Sequence, residues 1–183
     1  MKNFVSVLVS VLILSSSSNL LSADSVKPVE KSDFELANPD HILVRHGLVS
    51  LAQKLGSAIF ILDKSPLDEA LGSISINPQL KENMTTPDNR AKLAGILDNV
   101  DTVDCVGVRM MSTQVLSFLF ISTSEDGPIA IKFDIYSYKG KLCVTGFHVT
   151  TSWSVMDDYF NSVDKLEGFL HLSREDGKGT EPG

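Results

Sequence analysis

The chain has 183 residues, of which 43% are hydrophobic and 21% charged, a balance typical of a globular domain with its own core. Its formal net charge is −7, and its Lys and Arg residues are scattered singly along the sequence. Because a nucleic-acid binder needs a basic stripe to contact phosphates, these values argue against a nucleic-acid partner.

Residues 1–23 are predicted to be a signal peptide. Lys2 supplies a positive start, an apolar run follows at 4–14, and small residues at 22–23 offer a cleavage site. The apolar run is too short to span a bilayer as a helix. We therefore expect an exported protein, periplasmic or secreted, with no membrane partner after cleavage. The polar stretch 24–39 has no hydrophobic period and is predicted to be a linker.

A long amphipathic helix is predicted over 41–62, where apolar residues recur at helical spacing. Asp40 precedes it as a candidate N-cap. Gly47 and Gly56 lie inside it, and each is expected to weaken the helix by roughly 1 kcal/mol. Two shorter helices are predicted after the pairs Ser65-Pro66 and Thr86-Pro87, since proline is favoured in the first turn of a helix.

The hydrophobic period changes to two after residue 101, which predicts strands. We place them at about 102–111, 114–123, 128–138 and 141–151, and the short turns between them predict an antiparallel meander. The segment 153–172 is predicted to be helical, and 173–183 is predicted to be a disordered tail. Helices followed by such strands predict an α+β fold, in which N-terminal helices pack on a curved four-stranded antiparallel sheet.

One hairpin adds a family resemblance. The residues Gly127-Pro128-Ile129, Phe133, Tyr136 and Lys139-Gly140-Lys141 resemble the small exported members of the NTF2-like (cystatin-like) superfamily. The resemblance covers about residues 40–151 and implies a cone of bent sheet around the long helix, in a domain spanning 40–152. Leu142 stands where many such hairpins have Trp. The superfamily includes enzymes, binding modules and transport factors, so the resemblance does not select a function.

Unbroken alternation along the four strands predicts which side chains share a face of the sheet. The face under the helices is expected to carry a ligand pocket formed by His148, Arg109, Phe120, Ile131 and Phe133. Cys105 and Cys143 fall on opposite faces, so we predict two free thiols and no disulfide. A β-bulge in either hairpin would change these assignments, because one extra residue turns the following side chains over.

His148 is the candidate catalytic residue, because an imidazole can act as a general acid or base near neutral pH. Its simpler interpretation is a core histidine bonded to a backbone carbonyl. Lys132 and Asp134 are interpreted as a solvated charge pair on the other, mixed face. No metal-ligand spacing and no phosphate-binding loop occurs in the sequence, so neither a metal nor a cofactor is expected.

Three functions are compatible with this sequence. The first is an exported non-catalytic module that binds a small apolar ligand or a protein partner and forms a homodimer through the mixed face. The second is an isomerase- or dehydratase-type enzyme that uses His148. The third is a structural or inhibitory protein whose cone is filled by its own side chains. The cavity distinguishes them, since an enzyme needs at least two converging polar groups in it.

Overall fold

In the computed structural model of the protein, the described residues are 40–98, 100–124 and 126–174. Their helices are α1 (Ile42–Arg45), α2 (Val49–Ile59), α3 (Leu67–Leu71), α4 (Pro78–Thr85), α5 (Pro87–Leu97) and α6 (Trp153–Asn161). Their strands are β1 (Ser75–Ile76), β2 (Thr102–Ser112), β3 (Val115–Ser124), β4 (Gly127–Tyr138), β5 (Lys141–Thr150) and β6 (Asp164–Ser173). The predicted signal peptide, the linker and residues 175–183 of the predicted tail lie outside the described residues. Within the described part, no helix is both long and apolar enough to cross a membrane.

The strands form one six-stranded sheet in the order β1-β5-β4-β3-β2-β6. β2 to β5 pair antiparallel in succession, β6 pairs antiparallel with the outer edge of β2, and β1 pairs parallel with β5. The α+β class is therefore confirmed. The sheet is mixed and has two more strands than predicted, because β1 and β6 extend it at its two edges.

The C-terminal segment differs from the prediction of a helix over 153–172. The helix α6 ends at Asn161, and β6 follows it. Leu170 and Leu172 are completely buried and pair opposite Cys105 and Val103. The free edge of β2 therefore offers backbone partners and core contacts that outweigh the local helical pattern, which is a tertiary effect that sequence periodicity does not contain.

The predicted long helix is divided into α1 and α2. Gly47 adopts a φ of 64°, a left-handed conformation that glycine tolerates, and the chain turns there. The N-cap is His41 and not Asp40: Nδ1 of His41 accepts a hydrogen bond from the Leu43 N–H at 3.2 Å. Because Nδ1 accepts, Nε2 carries the proton and donates to the Gly168 carbonyl at 3.0 Å, which ties α1 to β6.

Register shifts within the sheet explain the main errors in the predicted faces. In β5 the residue opposite Asp134 is Gly146, whereas the residue opposite Ile135 is Val144, so Thr145 is an extra residue. The predicted pairs Phe133–Gly146 and Ile131–His148 are therefore wrong. Phe133 pairs with Phe147, and His148 pairs with Lys132.

Two similar shifts occur in β2, between Cys105 and Gly107 and between Met110 and Ser112. Met110 then pairs with Leu116, and Arg109 pairs with Ser117, which corrects the predicted pair of Arg109 with Leu116. Because side chains alternate along a strand, these shifts move His148 and Arg109 off the face that the helices cover.

We call the side of the sheet under α2 the helix-covered face. Its centre is filled: Phe118, Phe120, Ile131 and Phe133 are all completely buried. The rings of Phe120 and Phe133 meet edge-on, with centroids 5.9 Å apart. At Gly56 of α2, an added Cβ would lie 2.2 Å from Cδ1 of Leu172, so the helix approaches the sheet as closely as glycine permits.

We call the opposite side the second face. Its middle is covered by α6, where Met156 packs with Val106, Leu119, Ala130 and Val163 in a smaller buried cluster. Gly107 lies under this layer, because a Cβ there would be 2.3 Å from a methyl group of Val163. The second face corresponds to the mixed face of the sequence analysis, and α6 occupies part of the surface that a homodimer was expected to use.

Candidate functional site

The predicted ligand pocket is not present in the centre of the sheet. Phe120, Ile131 and Phe133 fill that region completely. His148 and Arg109 lie on the second face, where Nη1 of Arg109 donates to the Ser162 carbonyl at 3.1 Å. The structure therefore separates the two polar members of the predicted pocket from its three apolar members.

A cavity lies instead at one end of the helix-covered face. We call it the end groove, and its volume is about 540 Å³. One wall is the start of α2 with the turn before it, a second is the segment between α3 and β1, and a third comes from the tips of the β2–β3 and β4–β5 hairpins. Its apolar lining residues are Leu48, Leu51, Ile74, Leu116 and Leu142.

Short side chains explain why this end of the face stays open. The remaining uncharged lining residues are all glycine, serine or threonine: Gly47, Ser50, Ser73, Ser75, Thr113, Ser137 and Gly140. Side chains this short occupy little of the space between α2 and the hairpin tips. Ser75 also fixes the wall geometrically, since β1 pairs with β5 and the Ser75 hydroxyl donates to the Leu142 carbonyl at 2.8 Å.

The charged residues of the groove all carry the same sign when they are ionised. They are His46, Lys54 and Lys141, and no Asp or Glu is among the described residues that line it. This contrasts with the whole chain, in which 23 Asp and Glu residues outnumber 16 Lys and Arg residues. Nζ of Lys54 donates to the Ser73 hydroxyl at 3.3 Å, which places a cation and a hydroxyl side by side at the rim.

A polar cluster on the second face contains the candidate catalytic residue. We call Ser117, Lys132, Asp134 and His148 the Asp134 cluster. The Ser117 hydroxyl donates to Oδ1 of Asp134 at 2.5 Å, Nζ of Lys132 lies 3.5 Å from the same oxygen, and Nε2 of His148 lies 3.4 Å from Oδ2. Gly146 makes room for this arrangement, because a Cβ there would be 2.7 Å from Oδ2.

The environment of Asp134 strongly favours its ionised form. Burial opposes ionisation, but the neighbouring His148, the hydrogen bond from Ser117 and the charge of Lys132 outweigh it and lower the pKa of Asp134 to about 2. A carboxylate with so low a pKa is a poor general base at neutral pH. The Ser117 hydroxyl donates to Asp134 and not to His148, so within the cluster no hydroxyl nucleophile is hydrogen-bonded to the imidazole.

Tyr159 of α6 covers one side of the Asp134 cluster. Its ring centroid is 6.1 Å from that of His148 and 5.7 Å from Nζ of Lys132. Burial and the charge of Asp134 raise the pKa of Tyr159. The Lys132–Asp134 pair is therefore less solvated than predicted, with 17% and 26% of the two side chains exposed.

The two cysteine thiols and the potential metal ligands of the described residues do not form a further site. Cys105 and Cys143 are free thiols: Cys105 is buried in the core of the helix-covered face, and Cys143 is partly buried. Burial raises the pKa of Cys105 to about 12, so this thiol is unreactive at neutral pH. Over 40–98, 100–124 and 126–174, no group of three or more His, Cys, Asp and Glu side chains is arranged to hold a metal ion.

Sequence reasoning missed the end groove because its walls come from separate segments. Two short segments of the sequence give a partial signal for the groove, because each combines glycine and serine with apolar residues: Gly47-Leu48-Val49-Ser50 and Gly72-Ser73-Ile74-Ser75. Neither run predicts a cavity by itself, since the space exists only when both face the hairpin tips.

Comparison of the chain with protein-family models, with curated proteins and with solved structures found no match. Among the described residues, the end groove is the feature whose geometry and chemistry indicate a function.

Proposed function

We propose that the protein is an exported, non-catalytic module of the NTF2-like type that holds a small apolar ligand in the end groove. The observation that carries the proposal is a groove of about 540 Å³ with an apolar lining and short-chain walls. Ligand sites in proteins commonly measure about 300–1,000 Å³ and combine an apolar lining with a few polar groups. The NTF2-like part of the proposal is supported by helices that cover one face of a sheet in which β2 to β6 pair antiparallel.

The driving force would be burial of hydrocarbon against the groove floor. Leu51 and Leu116 are each 7% exposed, and Leu48 and Leu142 are partly buried, so their remaining surface faces the opening. Each methylene group that moves from water to such a surface contributes about 0.8 kcal/mol. A straight-chain ligand is therefore expected to bind roughly threefold to fourfold more tightly for every methylene added, until the groove is full.

The two alternative functions have less support. An enzyme that uses His148 would need a substrate cavity beside that residue, but the end groove is on the other side of the sheet. The filled centre of the helix-covered face agrees with a structural or inhibitory protein. The end groove is the feature that favours a binding module over that alternative.

The proposal can be tested with N-phenyl-1-naphthylamine, a neutral dye that fluoresces in apolar surroundings. The dye is titrated into the purified protein and then displaced by straight-chain alcohols of eight, nine and ten carbons. We expect saturable binding to one site per chain, and displacement that strengthens with chain length.

Two variants locate the dye. Ser50 lines the groove and is partly buried on α2, so Ser50→Trp should fill the space and weaken dye binding at least tenfold. Ser57 is equally part-buried on the same helix, two turns later and outside the lining, so Ser57→Trp should change binding less than twofold. Absence of saturable binding to the wild type, or equal effects of the two variants, would reject the proposal.

A further inference from the structure

We infer that the ligand of the end groove is a single-chain alkyl carboxylate, whose head group lies between Lys54 and Lys141 at the rim. This inference rests on the proposed function, because it assigns the head group of a molecule whose tail occupies the apolar floor. Lys54 belongs to the helix wall and Lys141 to the hairpin wall, so the two ammonium groups approach the opening from different elements.

The charge distribution around the groove selects the sign of the head group. Two lysines line it together with His46, and the described lining residues include no carboxylate to neutralise them. Like charges around one opening disfavour each other, and a bound anion relieves that repulsion. The same lining cations repel a cationic head group, so cationic ligands are disfavoured at this opening.

The hydrogen bond between Lys54 and Ser73 holds two donor groups side by side, an arrangement that suits a head group with two acceptor oxygens. The Ser73 hydroxyl accepts from Nζ of Lys54, which leaves its own O–H hydrogen available to donate. An ammonium group has three donors, and only one of them is used in this bond. A carboxylate can therefore accept from Ser73 through one oxygen and from Lys54 through the other, in the short, charge-assisted geometry that such groups prefer.

The expected selectivity is moderate because both lysines are exposed. An exposed ion pair changes affinity by roughly 1.4-fold to fivefold, so two pairs acting together should favour a carboxylate by about twofold to thirtyfold. The preference for a carboxylate should shrink in high salt. At 1 M ionic strength the Debye length is about 3 Å, so interactions between exposed charges are largely screened.

The test compares three molecules with ten-carbon straight chains and different head groups: decanoate, in which the carboxyl carbon is the tenth, decanol and decyltrimethylammonium. Each displaces N-phenyl-1-naphthylamine from the purified protein at pH 8, in low and in high salt. We expect decanoate to bind about tenfold more tightly than decanol in low salt, with the ratio falling in high salt, and decyltrimethylammonium to bind less tightly than decanol.

Charge variants separate the head-group inference from the binding proposal. The double variant Lys54→Ser/Lys141→Ser should abolish the preference, so that decanoate and decanol bind to this variant with equal affinity. Lys139 is the matched control: it is exposed in the same hairpin but outside the groove lining, with Nζ 5.2 Å from the Tyr138 ring centroid. Lys139→Ser should preserve the preference for decanoate.

Equal affinities for decanoate and decanol in the wild type, or an unchanged preference in the double variant, would overturn the head-group inference and leave the binding proposal standing. Failure of all three molecules to displace the dye would overturn both.

Discussion

The end groove and the Asp134 cluster are two places where polar residues meet an apolar sheet, and they differ in what they leave unfilled. In the cluster, the Asp134 carboxylate has partners for both oxygens, and Gly146 supplies the space they need. In the groove, short hydroxyl side chains and cations surround an apolar floor that is left partly uncovered. A polar residue on a strand therefore indicates a binding site less specifically than a group of short side chains at the end of an apolar core.

Phe133→Ala is the change with the largest expected effect. Phe133 is completely buried between Phe120 and Phe147, in the region where sequence analysis placed a pocket. Truncation of a buried phenylalanine typically costs about 3–5 kcal/mol of unfolding free energy, because it removes apolar contacts and leaves a cavity. Urea denaturation would measure the loss.

Phe169→Ala is the control and should change stability by less than about 0.5 kcal/mol, because Phe169 is 58% exposed. A loss below about 1 kcal/mol for Phe133→Ala would mean that the centre of the face is not tightly filled.

Gly146→Ala should disturb the Asp134 cluster and leave the groove intact. Its Cβ would lie 2.7 Å from Oδ2 of Asp134, so the carboxylate or the strand must move, at a cost of roughly 1–3 kcal/mol. Gly95→Ala is the matched control: apart from its chain neighbours and the backbone of its own helix α5, no atom lies within 4 Å of the added Cβ, so stability should rise by about 0.4–1 kcal/mol. Dye binding should be unchanged in both variants. Equal stability changes in the two variants would contradict the packing described at Gly146.

The Asp134 cluster should also make stability depend on pH in acid. The pKa of Asp134 is lowered from 3.8 to about 2 on folding, so its contribution is present above about pH 4 and is lost as the pH falls through about 2. Allowing for partial exposure, this contribution is about 1–2 kcal/mol. The unfolding free energies of the wild type and Asp134→Asn should therefore differ at pH 6 and converge towards pH 2. A difference that stayed constant over this range would argue against ionisation as its source.

The parts of the fold that follow local rules could be predicted from the sequence. The alternation of apolar residues predicted the bounds of β2 to β5 to within one residue. The tight turn between Tyr138 and Lys141 predicted that these two residues pair. The buried set Phe118, Phe120, Ile131 and Phe133 followed from the same alternation.

The break of the long helix at Gly47 is local, but the errors in the sheet and the missed groove share one physical source, because each concerns a feature that depends on distant neighbours. Thr145 is extra in β5 only by comparison with its partner strand β4, and no local pattern marks it. β6 forms because the edge of β2 is available, and β1 because β5 is exposed beside it. The end groove needs α2, the segment before β1 and two hairpin tips to be in place together.

A crystal structure of the protein with 10-bromodecan-1-ol would test the central claim most directly, since the anomalous signal of bromine locates the end of the alkyl chain. The alcohol is neutral, so the result is independent of the head-group inference. We predict a single bromine peak in the end groove against Leu51 and Leu116, absent in Ser50→Trp crystals and retained in Ser57→Trp crystals. A peak beside His148 on the second face, or no ordered bromine at ligand concentrations that saturate dye displacement, would contradict the account.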